Sequence, residues 1–154
     1  MGKLNAYYDE KTERLLTMGK LARGLRNNNP GNIRRVRGQR WKGQSPEQKD
    51  PEFVQFQSLP WGYRAMMVIL SNYRRMGVRT VRQMICRWAP PADGNLTDAY
   101  IGCVCDALGC TPNCIPDLTD RPTLVGMVAA MSRVENGVPA DLAAVERGFE
   151  LLDA

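Results

Sequence analysis

The stretch Trp61–Gly77, WGYRAMMVILSNYRRMG, decides the fold class. Met66, Met67, Ile69, Leu70 and Tyr73 recur at helical spacing, with arginines and polar residues between them. That period predicts an amphipathic helix over 61–76, which Gly77 stops. Working outward towards the carboxyl end, the same period returns four times. Thr80–Trp88 is a second helix, broken by Pro90-Pro91. Asn95 or Thr97 is placed to cap a third, with Tyr100, Ile101, Val104 and Leu108 inward and Gly109 closing it. Asp120 is placed to cap a fourth, with Leu124, Val125, Met127, Val128 and Met131 packed, ending near Asn136-Gly137. Pro139 suits the first turn of a fifth, running to Leu152.

Towards the amino end the pattern changes. Residues 24–60 hold apolar islands at Ile33 and Val36, at Trp41, and at Phe53, Val54 and Phe56, divided by Gly38, Gly43, Pro46 and Pro51. Such punctuation predicts a small loop-rich lobe with at most a two-stranded ribbon. Before it, Leu15, Leu16, Met18, Leu21 and Ala22 predict a helix over 8–23, ended by Gly24. The expectation is one domain over residues 1–154: an N-terminal helix within 1–23, the lobe at 24–60 and a helical core over 61–154.

The 154 residues include no histidine. That excludes Ser-His-Asp and Cys-His nucleophiles, and zinc hydrolases with two histidine ligands. Proton transfer is left to carboxylates, Lys, Tyr, Cys or water. The net charge of +5 is divided unevenly: residues 1–97 carry 18 basic and 7 acidic side chains, and residues 98–154 carry 3 and 9. From Lys20 to Lys42 there are eight basic residues and no acid. This favours an anionic partner, with a solvated basic face as the plain alternative. No nucleic-acid motif accompanies the basic stretch, so no specific nucleic acid is expected. Ala65–Leu70, the longest strongly apolar run, is too short to span a bilayer. MGKLNAYYDEK at the amino end lacks the apolar stretch of a secretory signal. Synthesis in a cytosol is therefore expected, with any export depending on a device outside this sequence.

Cys103, Cys105, Cys110 and Cys114 form C-x-C-x4-C-x3-C, and Cys86 sits at an apolar helical position that reads as core. The first pair is too closely spaced on a helix to chelate a metal well, so no metal and no cofactor are expected. A disulfide between Cys110 and Cys114 is feasible, and reduced thiols are the expected state.

Arg23–Arg35, RGLRNNNPGNIRR, is the most unusual stretch. Its amides suit a ligand rich in hydroxyl and acetamido groups, and they equally suit Asx turns that tie a loop to itself. With W-K-G-Q (Trp41–Gln44), D-P-E-F-V-Q-F (Asp50–Phe56), W-G-Y-R-A (Trp61–Ala65), R-W-A-P-P (Arg87–Pro91), N-L-T-D-A-Y-I (Asn95–Ile101) and E-N-G (Glu135–Gly137), it resembles a family of small phage and prophage proteins. Members are commonly labelled virion structural protein and look like the lysin of an enveloped double-stranded RNA phage. The likeness spans roughly residues 23–137. It implies an α+β, mainly α, lysozyme-like fold and a role in opening peptidoglycan, at the wall or as part of a virion. N-N-P-G-N-I-R followed by W-x-G is also similar to the order of motifs in bacterial glucosaminidases, where the acid lies upstream in an E-S-G.

Within this resemblance Glu135 is the candidate acid, following the apolar stretch VGMVAAMSRV as a catalytic E-S-G would. The plain alternative is a surface glutamate at a helix end. The upstream alternative is Glu13. A second carboxylate would be Asp50, or failing that Glu47 or Glu52, activating water or steadying the cationic transition state; Asp50 equally reads as a turn residue before Pro51. With Glu135 alone, a lytic transglycosylase suffices. Asn28, Asn29, Asn32, Trp41, Gln44 and Tyr100 are the candidate saccharide contacts, drawn from the amide-rich loop and from aromatics that pack on sugar rings. Trp88, before Pro90, reads as core. The expected function is cleavage of the peptidoglycan glycan strand, of lysozyme or lytic transglycosylase type. A non-enzymatic virion or glycan-binding protein that keeps the fold is the alternative.

Overall fold

The computed structural model describes residues 21–153 and is mainly helical. The helix expected over 8–23 falls almost wholly outside the described residues, as does Glu13. Its last part is replaced by a single turn, α1 (Arg23–Arg26), so Gly24 lies inside a helical turn instead of ending one. The reason is a close approach. A Cβ at Gly24 would lie 2.6 Å from the side-chain oxygen of Asn136 and 2.8 Å from the Asn29 carbonyl.

The long helix α2 (Leu59–Arg75) starts two residues earlier than its periodicity suggests, with Pro60 in its first turn where no N–H is needed. Met66, Met67 and Leu70 are fully buried, and Ile69 and Tyr73 pack at the edge of the core. Helix α3 (Val81–Trp88) opens with a reciprocal cap. The Thr80 hydroxyl accepts from the Gln83 N–H, and the Gln83 side chain accepts from the Thr80 N–H. A short 3-10 turn, Pro91–Asp93, leads to α4 (Thr97–Leu108), which ends at Gly109 with φ of 65°. Neither Asn95 nor Thr97 caps α4. Both turn back instead, donating to the carbonyls of Pro90 at 3.0 Å and Ala89 at 2.6 Å, and so pin the Pro90-Pro91 corner.

Helix α5 (Arg121–Asn136) is capped by Asp120 and ends at Gly137 with φ of 73°. The last helix, α6 (Leu142–Glu150), does not begin at Pro139. Asp141 lies nearer and accepts from the Ala144 N–H, so the cap and not the proline sets the start.

Helix α2 packs on α6, and α4 packs on α5. Glycine allows the first contact: a Cβ at Gly148 would lie 2.9 Å from the Tyr63 Cβ. The lobe joins the same core through Ile33, Val54 and Phe56. Its pairing is limited to isolated antiparallel bridges, Arg34 with Phe53 and Gln44 with Phe56, so the expected ribbon is reduced to single rungs. Cys86 is exposed, contrary to its reading as core, whereas Cys103 and Cys105 are buried. Cys110 and Cys114 are free thiols lying against each other. No helix among the described residues is long and apolar enough to cross a membrane.

Candidate active site

The amide-rich loop is held by its own asparagines. Asn27 donates to the Asp50 carboxylate at 2.9 Å and accepts from Gln55 at 3.0 Å. Asn28, with φ of 52°, donates to the Phe56 carbonyl at 3.1 Å. Asn29 is fully buried, donates to the carbonyls of Ile33 and Val54, and accepts from the Ile33 N–H, each at 2.9 Å. The amide groups of Asn28 and Asn29, expected to meet a saccharide, are therefore used on the lobe's backbone. A buried amide leaves its partners unsatisfied if it turns away. Asn32, with φ of 50°, behaves differently and faces out of the loop. Its side chain donates to Oε1 of Glu135 at 3.1 Å.

The E-N-G triplet divides its work. Gly137 takes the left-handed backbone that ends α5. Asn136 is buried and donates to the carbonyls of Pro30 at 2.8 Å and Ser132 at 2.9 Å, fastening the helix end to the loop. Glu135 is thereby held at the seam between the helices and the lobe. Its Oε2 accepts from the Trp88 indole at 3.2 Å and the Tyr100 hydroxyl at 3.0 Å. Burial pushes the Glu135 carboxyl above its ordinary value of 4.5, while the bonds from Asn32, Tyr100 and Trp88 pull the other way and are outweighed.

Glu135 opens onto a cleft of about 370 Å³. Trp88, Asp93 and Asn95 line its helical side, and Asn32, Arg34 and Phe53 line its lobe side. The guanidinium groups of Arg23 and Arg34 lie over the Phe53 ring, 4.6 and 5.0 Å from its centre. Larger cavities on the lobe, of about 480 and 560 Å³, are lined by no shielded carboxyl.

Asp50 does not line this cleft. It is buried and accepts from Nε and a terminal nitrogen of Arg23 at 2.7 and 2.6 Å, from Asn27 at 2.9 Å, and from the backbone N–H of Glu52 and Phe53, each at 2.9 Å. Five donors saturate a carboxylate that has about four lone-pair sites. The Arg23 guanidinium, with these further donors, holds the Asp50 carboxyl far below the usual carboxylate range. Its position serves the lobe's architecture, in keeping with the turn reading, and leaves no lone pair to activate water. Glu52 is exposed and pairs with Arg23 at 3.1 Å and Arg34 at 3.4 Å. Glu47 is exposed beside Lys49.

Tyr100 is buried beneath Glu135 and orients it, where the sequence suggested a groove wall. Trp41 and Gln44 lie together on a different cavity. Sequence reading missed Trp88, Arg34, Phe53, Asp93 and Asn95. The R-W-A-P-P motif was the signal for Trp88, because two prolines after a tryptophan fix its helix end at the corner beside α5. Among the described residues no three Cys, Asp or Glu side chains gather to hold a metal ion.

No model of a known protein family matches the sequence. The chain is 37% identical over 133 residues to Protein P5 of Pseudoalteromonas phage PM2, and the match covers 84% of this chain and 81% of that protein.

Proposed function

We propose that this chain, which belongs to the family of Protein P5 of Pseudoalteromonas phage PM2, cleaves the glycan strands of bacterial peptidoglycan with Glu135 as the proton donor. One observation carries this reading: a single shielded carboxyl, held by three donors, opens on a cleft between a helical body and a loop-rich lobe. That placement agrees with the lysozyme-like arrangement that the sequence motifs imply. A carboxyl whose hold on its proton is strengthened by burial can protonate a glycosidic oxygen as the bond to the anomeric carbon breaks.

With Asp50 bound to Arg23, the arrangement favours a one-acid reaction over a two-carboxylate hydrolysis through Asp50. In the one-acid route the sugar's own hydroxyl closes on the anomeric carbon and returns its proton to Glu135. Membership of a phage family gives such an activity a place, since a phage must pass the host wall. A virion protein that binds the glycan without cutting it is the other reading.

Incubation of the purified protein with intact peptidoglycan, followed by mass spectrometry of released fragments, tests the proposal. Anhydro-sugar ends are the expected product. New reducing ends would replace the one-acid route with hydrolysis. Binding to the wall without either product would leave the glycan-binding reading and remove the enzymatic one.

A further inference from the structure

The residues expected to bind saccharide but absent from the cleft are gathered elsewhere. Trp41 and Gln44 line a cavity of about 480 Å³ together with Arg35, Arg37, Gln39 and Gln48. This cavity shares no lining residue with the cleft at Glu135. Arg34 and Phe53, paired across the bridge, line the cleft, and the next residues along each segment, Arg35 and Val54, line this second cavity. Alternation along extended backbone turns successive side chains to opposite sides.

The cavity is built rather than incidental. Gln48 is fixed by bonds to the Ser45 and Gln55 carbonyls at 3.0 and 2.8 Å and from the Gln55 N–H at 2.9 Å. Gln44 Oε1 accepts from the Trp41 N–H at 3.2 Å, and Arg35 donates to the Asp50 carbonyl at 2.9 Å. A turn closed from Gln39 to the Val36 carbonyl at 3.0 Å, with Gly38 at φ of 83°, holds the rim. Trp41 packs against the core, yet its indole nitrogen is shielded and has no acceptor among the described residues. Buried donors are rarely left unpaired, and this one belongs to a residue that lines the cavity.

No carboxylate lines the cavity, and residues 34–42 carry Arg34, Arg35, Arg37, Arg40 and Lys42 with no acid. Arg37 and Gln39 stand exposed at the rim. An indole face, the amides of Gln39 and Gln44 and the Arg37 guanidinium fork together fit a sugar ring that bears an anionic group. A nucleic-acid strand would need successive aromatic platforms, and one indole supplies a single one. We infer that this cavity is a second binding site, for an acidic saccharide unit carrying a carboxylate or a phosphate. It would hold such a polymer against the lobe independently of any reaction at Glu135.

The three indole N–H groups of the full chain provide the assay. In a nitrogen-15 spectrum the Trp41 signal reports this cavity, Trp88 reports the cleft, and Trp61, which lines neither, reports the fold. The signals are assigned with Trp61→Phe and Trp88→Phe. The probes are N-acetylmuramic acid, N-acetylglucosamine 6-phosphate, neutral N-acetylglucosamine and a short oligothymidylate. The expected result is a saturable shift of the Trp41 signal with an acidic sugar, at an affinity about tenfold or more above that for the neutral sugar. Whichever acidic sugar binds more tightly identifies the carboxylate or the phosphate as the natural group. Arg37→Gln is expected to weaken binding about tenfold with the Trp61 signal unmoved, and Glu135→Gln is expected to leave the Trp41 response intact. A Trp41 signal that stays still, an equal response to the neutral sugar, or tighter binding of oligothymidylate would each overturn the assignment.

Discussion

Replacing Glu135 by glutamine separates a working acid from a surface glutamate, because the structure dictates two effects of different kind. The first is on the reaction. A positioned general acid contributes about 10²- to 10⁴-fold, or roughly 3–5 kcal/mol of barrier. Glutamine keeps the shape but has no such proton, so glycan cleavage falls by that factor. The second is on stability. Burial holds the Glu135 carboxyl above its ordinary 4.5, so the folded chain favours the protonated form more than the unfolded chain does. That contribution is fully present below the ordinary value and is lost as pH rises through the raised one.

Glutamine never ionises and lacks this slope. In acid the variant loses one acceptor site, since its amide nitrogen cannot take the bond from Asn32, at about 0.5–1.5 kcal/mol. Above the raised value the wild type carries the penalty of a buried charge, and the gap between the two narrows. Thermal melts of both proteins across acid to mildly alkaline pH, beside release of glycan fragments, read both effects. Cleavage within about threefold of wild type, or a melting difference that does not change with pH, would refute the reasoning.

Other consequences follow from the same geometry. Trp88→Phe and Tyr100→Phe each remove a donor that lowers the Glu135 value. Either change should move the alkaline limb of the pH–rate profile upward, with a smaller loss of rate than Glu135→Gln. Asp50→Asn breaks the clasp with Arg23 and should lower the melting temperature at neutral pH. The gap should narrow as pH falls below the ordinary 3.8 towards the depressed folded value, because the unfolded wild-type chain then takes up a proton that the folded chain does not. Per folded molecule its cleavage rate should stay within about threefold of wild type, as for a residue outside the reacting centre. Gly62→Ala should destabilise by about 1–3 kcal/mol or more in urea melts, because its Cβ would collide with the Asn28 carbonyl oxygen and lie 2.6 Å from Pro30 Cδ.

Helices were legible wherever local chemistry sets them. The periodicity of Met66, Met67 and Leu70, the Asp120 cap and the stops at Gly109 and Gly137 are all properties of a few adjacent residues. The errors arose where a distant partner competes for a side chain. Thr97 has the chemistry of a cap but bonds to Ala89 across the corner. Pro139 fits a first turn, but Asp141 supplies the oxygen that starts the helix. Asp50 reads as either a turn residue or a nucleophile's partner, and Arg23, 27 positions away, decides between them. Trp88, before Pro90, reads as core and does pack against it, but the neighbour that draws its indole nitrogen to the cleft is 47 positions away.

By itself the sequence determined the mainly helical class, the loop-rich lobe, the basic amino-terminal part, and the absence of any imidazole. Each is a matter of composition or of contacts within a turn or two. Only the tertiary structure decided which carboxyl is shielded and which is saturated. A carboxyl's chemistry depends on how much water reaches it and which donors surround it. For Glu135 those donors come from Asn32, Trp88 and Tyr100, the first of them 103 positions away. No local pattern records such a meeting, and folding alone brings it about.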